Sequence, residues 1–319
     1  MSPNQDAIEV LLQQVRSSGE DVLVRTKACN QLAEQLSSPS VVLTIQQAFI
    51  ECLKSDTDVQ FLTHLVGLFG KKKLVCCVEI LIGMLTCSGK TAIEKSLGRD
   101  YRTGDKGMRL RIAIAQALGR IDDQRAVLPL IGLLNEPGEN YRLRLAIAEA
   151  LGRLGDHQAL SPLIHIVSDD EEQSQYLKES AVKALGMLGD IRAMEPLLDM
   201  FESKKGWLNK FTFVKEQLIE AIGKIGAPDH KRAQDALFQA LKDRAQYIRL
   251  AAVESLADVG DEHAIEHLLP CLFDKSEDVA TATVNTLFHL GGEDLIRDIL
   301  ANTENLPQFV RDELEAYVP

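Results

Sequence analysis

The chain has 319 residues, and 35 basic against 47 acidic side chains give a formal net charge of −12, a balance that excludes a general nucleic-acid binder because each neutralised phosphate needs a Lys or Arg. Hydrophobic residues at 45% and charged residues at 26% are those of an ordinary globular protein, which excludes a disordered or fibrous chain. Only 5% of residues are aromatic, with one Trp, so the core is expected from Leu, Ile, Val and Ala, which suits close helix packing and argues against strands.

In chain order, the opening MSPNQDAIEVLL lacks a basic segment leading into an apolar run and a small-residue cleavage site, and no stretch reaches the length of an uncharged membrane span; a cytoplasmic protein without membrane insertion is expected. VRTKACNQLAEQL and VVLTIQQAFIECL read as one degenerate helix pair, giving a cap repeat over 1–56. A more regular pair follows over 57–85, FLTHLVGLFGKKKLVCCVEILIGML, with Gly67 read as the counterpart of Gly119. That alignment makes 86–107 an insertion of about 18 residues, CSGKTAIEKSLGRDYRTGDKG in its main part. From Lys90 to Arg111 the chain is locally basic: Lys90, Lys95, Arg99, Arg102, Lys106, Arg109 and Arg111 stand against three acidic residues, Glu94, Asp100 and Asp105.

From 108 to 292 the repetition is plain. MRLRIAIAQALGRIDDQRAVLPLIGLL from Met108 and YRLRLAIAEALGRLGDHQALSPLIHIV from Tyr141 are offset by 33 residues. Gly119, Gly152 and Gly186 share one slot, Asp123, Asp156 and Asp190 a second, Pro129, Pro162 and Pro196 a third. A third copy starts at Tyr176, and looser ones carry Gly223, Gly226 and Asp229, begin at Ile248, or read ATVNTLFHLGGEDLIRDIL; 293–319 closes the chain as a C-terminal cap. A smaller basic expansion, Glu202 to Phe213, sits at the same kind of junction as 86–107.

Each unit reads as helix, turn, helix. Leu145, Ala148, Leu151 and Leu154 recur at three-residue steps, the stripe of a helix packed on one side. The Gly-x-x-Gly-Asp ending supplies a left-handed cap and then an Asp to cap the next helix. One such pair cannot bury its own face, whereas stacked pairs share a continuous core. The expectation is an all-α, right-handed α-solenoid, a single domain over 1–319 of about seven helix pairs.

ALGRLGDHQALSPL from Ala150 and ALGMLGDIRAMEPL from Ala184 resemble the HEAT-like repeat of the phycobilisome (PBS) lyase family, closely over 108–200 and fairly over 245–292. The resemblance implies HEAT-like helix pairs. It also implies an alternative function, a bilin lyase or chromophore-handling subunit acting on phycobiliproteins, with bilin as its ligand and a phycobiliprotein as partner. The matching residues are packing and capping positions, and no catalytic motif of that family maps onto this chain.

The residues themselves favour a non-enzymatic scaffold that binds another, acidic-surfaced protein without a cofactor, since no nucleophile, base and orienting group occur with a recognisable spacing. Arg111, Arg144, Lys178 and Arg249 fall early in equivalent helices; they form either a ladder for an anionic ligand or bonds to neighbouring caps and helix ends. Second helices line the concave face of a solenoid, and superposition puts Cys76, Leu128, Ser161, Glu195, Asp235 and Glu266 in one column whose acidic half suits a basic segment. Insertions at equivalent junctions emerge on one edge and often carry recognition. The partner-binding candidates are therefore Lys90, Lys95, Arg99, Arg102 and Lys106 in the first insertion, Lys204, Lys205, Trp207 and Lys210 in the second, and Glu195, Asp235 and Glu266 in the column. Phe211 and Phe213 stand beside Trp207, which reads either as an interface anchor or as a ring tucked into the core. Ser88-Gly89-Lys90-Thr91 resembles the end of a phosphate loop but lacks the earlier Gly and a preceding strand. Cys76, Cys77 and Cys87 raise a thiol or metal carrier as a further alternative, although adjacent cysteines on an α-helix diverge by about 100°. His263 and His267 with Asp261, Glu262 and Glu266 have metal spacing but also suit a plain polar face. The iron enzyme deoxyhypusine hydroxylase uses paired His-Glu steps that this chain lacks.

Overall fold

A computed structural model describes residues 3–39, 41–172, 174–226 and 230–318. The described residues form helices and turns, with no strand among them. The chain divides into two compact units, Met1–Ala159 and Leu160–Pro319. The first contains α1 (Pro3–Arg16), α2 (Val22–Glu34), α3 (Val42–Ser55), α4 (Val59–Lys72), α5 (Val78–Leu85), α6 (Ala92–Leu97), α7 (Arg99–Thr103), α8 (Asp105–Ile121), α9 (Val127–Leu134) and α10 (Tyr141–Leu154). The second contains α11 (Leu160–Ser168), α12 (Gln175–Leu188), α13 (Met194–Ser203), α14 (Lys205–Leu208), α15 (Thr212–Ile225), α16 (Lys231–Ala240), α17 (Gln246–Val259), α18 (Glu262–Leu268), α19 (Glu277–Asn302) and α20 (Gln308–Ala316). Helix α19 is two helices joined at a kink, where Gly292 takes φ 63°.

Within each unit the first helices of successive pairs pack on one another, α4 on α8 on α10, and α12 on α15 on α17 on α19. The repeated glycine makes this possible. A Cβ added at Gly119 would sit 2.7 Å from Ala150 Cα, at Gly186 2.8 Å from Ala221 Cα, and at Gly223 2.5 Å from Ser255 Cβ. The slot thus serves close contact between neighbouring helices, and its partner is a small residue, Ala150, Ala221 or Ser255, on the next helix. In the 57–85 repeat the same contact is made by Gly70, whose added Cβ would lie 3.0 Å from Ala117 Cα, while nothing lies within 4 Å of Gly67. The alignment on Gly67 is therefore corrected by three residues, which shortens the insertion by the same amount.

Helix ends follow the sequence signals. Gly155 and Gly189 close α10 and α12 with φ 68° and 62°, and Asp122 takes the same left-handed conformation after α8. Asp123 and Asp190 then accept from the N–H two residues on, both at 3.0 Å, and Asp156 does so at 2.8 Å; each opens a single 3₁₀ turn before the second helix. Asp229, read into this Asp slot, lies outside the described residues. The buried face of α10 is Leu143, Ala146, Ile147, Ala150, Leu151 and Leu154, with Ala148 and Gly152 also covered, because the helix has neighbours on two sides. Leu145, read as part of a narrow stripe, is only half-buried for that reason.

Candidate functional site

The repeated cations face inward. Arg111 Nε donates to Leu85 O at the end of α5 at 3.1 Å, and its Nη2 and Nη1 grip Glu139 at 2.7 and 3.3 Å, with 1% and 3% of the two side chains exposed. Arg249 repeats the arrangement on Asp243 O, at 2.9 Å, and on both oxygens of Asp274, at 2.6 Å. Arg144 Nε donates to Leu134 O at 3.1 Å, and Lys178 Nζ to Asp169 O. Two further members escaped the sequence analysis: Arg25, on Val15 O and Asp56, and Lys215, on Asp243. The signal for Lys215 was its position eight residues before Gly223, as Arg111 stands eight before Gly119. Arg25, Arg111 and Arg249 therefore bond a carbonyl at or just past the end of a preceding helix and also hold a carboxylate, while Arg144 and Lys178 bond such a carbonyl and Lys215 a carboxylate, the structural one of the two arrangements expected for this slot. Burial alone would raise the carboxyls of Glu139, Asp243 and Asp274, but hydrogen bonds from Arg111, Lys215 and Arg249, with backbone N–H donors, hold all three below the ordinary range. Lys178 is pushed down to about 8 by burial and by the neighbouring Lys204 ammonium.

The first insertion is a folded element. Thr91 and Glu94 form a capping box at the start of α6, and the buried Glu94 carboxylate accepts from Gly89 N–H at 2.7 Å and from Thr91 N–H at 3.0 Å. Ser88 to Thr91 is thus a helix cap whose acceptor is the protein's own glutamate. Ile93 and Tyr101 anchor the insertion in the core, Tyr101 through its hydroxyl to Met84 O at 3.0 Å. Its basic residues point outward. Lys90, Lys95, Arg99 and Lys106 are exposed and make no ion pair among the described residues, whereas Arg102 pairs with Glu136 and Arg109 with Asp105 at 2.7 Å. Lys106 and Arg109 border a groove of about 1000 Å³ beside Leu23, Val59 and Leu97.

In the second expansion Leu208, next to Trp207, is the residue buried in the core. Trp207 is half-buried, its ring 4.9 Å from Phe211; Phe211 lies 6.1 Å from Phe213, and Phe213 stacks on the exposed Tyr176 at 5.6 Å. Lys205 and Lys210 are exposed and without an ion pair among the described residues, while Lys204 pairs with Asp170 at 2.7 Å.

Every residue of the second-helix column, Cys76, Leu128, Ser161, Glu195, Asp235 and Glu266, is exposed. Glu195 is claimed by Arg232 and by His230 Nε2, the latter at 3.0 Å; Asp235 and Glu266 have no ion partner among the described residues. With Gly70 in the glycine slot, Glu79 replaces Cys76 as the column's member in 57–85. All six cysteines are free thiols. The Cys76 and Cys77 sulfurs, in the 3₁₀ turn Val75–Cys77, stand 3.6 Å apart despite the divergence expected of adjacent residues. Their hydrogen bond holds Cys76 down at about 7 and pushes Cys77 up, which its burial reinforces. Cys87 turns to Leu85 O, and His267 stacks on Phe238 at 3.9 Å. Among the described residues no three His, Cys, Asp or Glu converge as a metal set, and no helix is long and apolar enough to cross a membrane.

Residues 104–176 and 211–287 match the HEAT repeats family, and 177–203 match the PBS lyase HEAT-like repeat, together more than half of the chain. The chain is a HEAT-repeat protein. No curated protein is significantly similar to it. Among solved structures it is similar to the CpcE–CpcF complex of phycocyanin lyase from Nostoc sp. PCC7120, at 20% identity and TM-score 0.48, over 86% of this chain and 94% of that one. It is similar to Kap95p in a structure with RanGDP, at 13% identity and TM-score 0.58, over 98% of this chain and 47% of that one. It also aligns with human deoxyhypusine hydroxylase at 17% identity and TM-score 0.30, over 98% of this chain and 95% of that one.

Proposed function

We propose that this HEAT-repeat chain is a non-enzymatic scaffold that grips an acidic-surfaced partner protein through its two inter-repeat expansions. One observation carries the reading: cations are sorted. In the repeated slot Arg25, Arg111, Lys215 and Arg249 are paired internally, whereas six cations of the expansions, Lys90, Lys95, Arg99, Lys106, Lys205 and Lys210, are exposed without an ion pair among the described residues. In a chain of net charge −12, such local positive edges favour acidic partners and repel basic ones. The half-buried Trp207 beside Lys205 and Lys210 has the composition of an interface anchor. Asp235 and Glu266 provide a separate acidic contact for basic groups of the same partner.

The partner is to be trapped by cross-linking through residue 210 and its affinity measured for the wild-type chain and for Lys205→Glu/Lys210→Glu. Loss of binding with an unchanged melting temperature supports the scaffold; equal affinity removes the second expansion from the interface, and turnover of a small molecule by the purified protein contradicts the non-enzymatic reading. The bilin alternative is favoured by the 27-residue PBS lyase match alone. A shifted visible spectrum on mixing with a free linear tetrapyrrole is the result that would install it instead.

A further inference from the structure

A pocket of about 680 Å³ in the second unit is walled by the end of α13, by α14, by the first turn of α15 and by the loop from α16 to α17. Lys205, Lys215, Lys242 and Arg244 line it against a single carboxylate, Asp243. Lys215 pairs with that carboxylate, which also accepts from Ala245 N–H at 2.9 Å. Lys205, Lys242 and Arg244 remain, exposed and without an ion pair among the described residues. Two 14-residue helices begin at the same wall, α15 and α17, and their N-caps, Phe211 and Ala245, offer no side-chain acceptor. The first N–H groups of both helices, which no side chain caps, add positive potential to a lining that already carries those three cations. Four cations against one carboxylate, itself paired with Lys215, leave the lining net positive, which suits an anionic occupant. Trp207, Phe211 and Phe213 lie in the same segment, 205–213, as the pocket residues Lys205, Leu208, Asn209 and Thr212, and with the exposed Tyr176 they form a strip of neighbouring, partly exposed rings.

We propose that this pocket receives an acidic peptide segment of the partner: two or three carboxylate or phosphorylated side chains enter among Lys205, Lys242, Arg244 and the two helix starts, and an apolar neighbour lies on the ring strip. A free small anion satisfies the charge but leaves the strip unused, which is why a peptide is the occupant. The inference rests on the scaffold reading and specifies what the second expansion recognises.

The probe is a fluorescein-labelled peptide of four consecutive glutamates followed by a leucine, with binding read by anisotropy on the full chain. Lys242→Glu/Arg244→Glu should weaken it by about tenfold or more, with the melting temperature kept, since neither side chain bonds elsewhere among the described residues. Replacing the glutamates by glutamines should abolish binding, and Lys71→Glu/Lys72→Glu, at the exposed end of α4 in the first unit, should leave it unchanged. Tighter binding of a phosphoserine version assigns the anion to phosphorylated side chains; equal or weaker binding assigns it to carboxylates. Unchanged affinity in Lys242→Glu/Arg244→Glu, equal binding of the glutamine peptide, or affinity unaffected by both Trp207→Ala and Phe213→Ala overturns the proposal. If the peptide fails while the cross-linked partner still binds and still needs Lys205 and Lys210, the pocket assignment is wrong and the scaffold reading stands; if the partner is also indifferent to those lysines, both fall.

Discussion

A Cβ on Gly186 would stand 2.8 Å from Ala221 Cα, and both belong to helix backbones that cannot step aside independently. Gly186→Ala should therefore lower stability by about 1–3 kcal/mol despite the better helix propensity of Ala. Gly132, in α9 with nothing within 4 Å, is the control: Gly132→Ala should stabilise by up to about 1 kcal/mol. Chemical denaturation of the two variants reads both signs, and equal effects would remove the close-packing account. The buried cations give a second set of outcomes. Arg111→Met leaves the Glu139 carboxylate buried without its guanidinium and should cost about 3–5 kcal/mol at neutral pH. The carboxyls of Glu139, Asp243 and Asp274 titrate lower in the folded than in the unfolded chain. Unfolded chains hence take up protons first as pH falls: the stabilisation is full above the ordinary values of 4.5 and 3.8 and is lost as pH drops through the depressed folded ones. Lys178 has the opposite course. Its folded value near 8 lies below the ordinary 10.5, so its ammonium costs stability below pH 8 and the cost is relieved as pH rises towards 10.5. Denaturation midpoints across that range should rise less in Lys178→Met than in the wild type; identical slopes would contradict the assignment.

At the scale of elements, one four-residue helix holds the buried Leu208 beside the half-buried Trp207, and the proposal gives the first to folding and the second to recognition. Leu208→Ala should cost about 2–5 kcal/mol of stability and leave the affinity of the folded protein unchanged. Trp207→Ala should cost about 2 kcal/mol of binding with a smaller loss of melting temperature. Calorimetry and a binding isotherm on each variant decide; a stability loss alone at Trp207 would take it out of the interface. The same element shows how far the sequence could be read. The insertions were legible as breaks in a strict repeat, and so was their charge. Which of two neighbouring aromatic or apolar residues turned inward was not, because a four-residue helix has no periodicity to reveal its buried face. Gly67 and Gly70 were confusable because both stand in one helix three residues apart, and only contact with Ala117 distinguishes them. Ser88 to Thr91 resembles only the end of a phosphate loop, which the missing Gly and strand already spoke against; that it is instead an N-cap was not legible, because the deciding acceptor, Glu94, lies beyond the motif.

At the scale of the molecule, the HEAT-like pairs, the caps and the all-α architecture follow from the repeat itself, as glycine, aspartate and proline recur at the places where the chain must pack closely or turn. The cation-lined pocket of the second unit was not legible in this way. Lys205, Lys242 and Arg244 are separated in sequence and meet only because α14 and the loop from α16 to α17 end at the same wall. The division of labour between internal and external cations was likewise hidden, since Lys and Arg in a sequence carry no mark of whether a carboxylate will meet them. That division is the central claim, and the salt dependence of affinity for the cross-linked partner tests it most directly. Exposed pairs are screened over about 10 Å at about 0.1 M salt, so the wild-type affinity should fall steadily as salt rises. Lys205→Glu/Lys210→Glu should bind weakly at every concentration with a flatter dependence. An affinity that does not change with salt, and is shared by the variant, would contradict recognition through the basic edges.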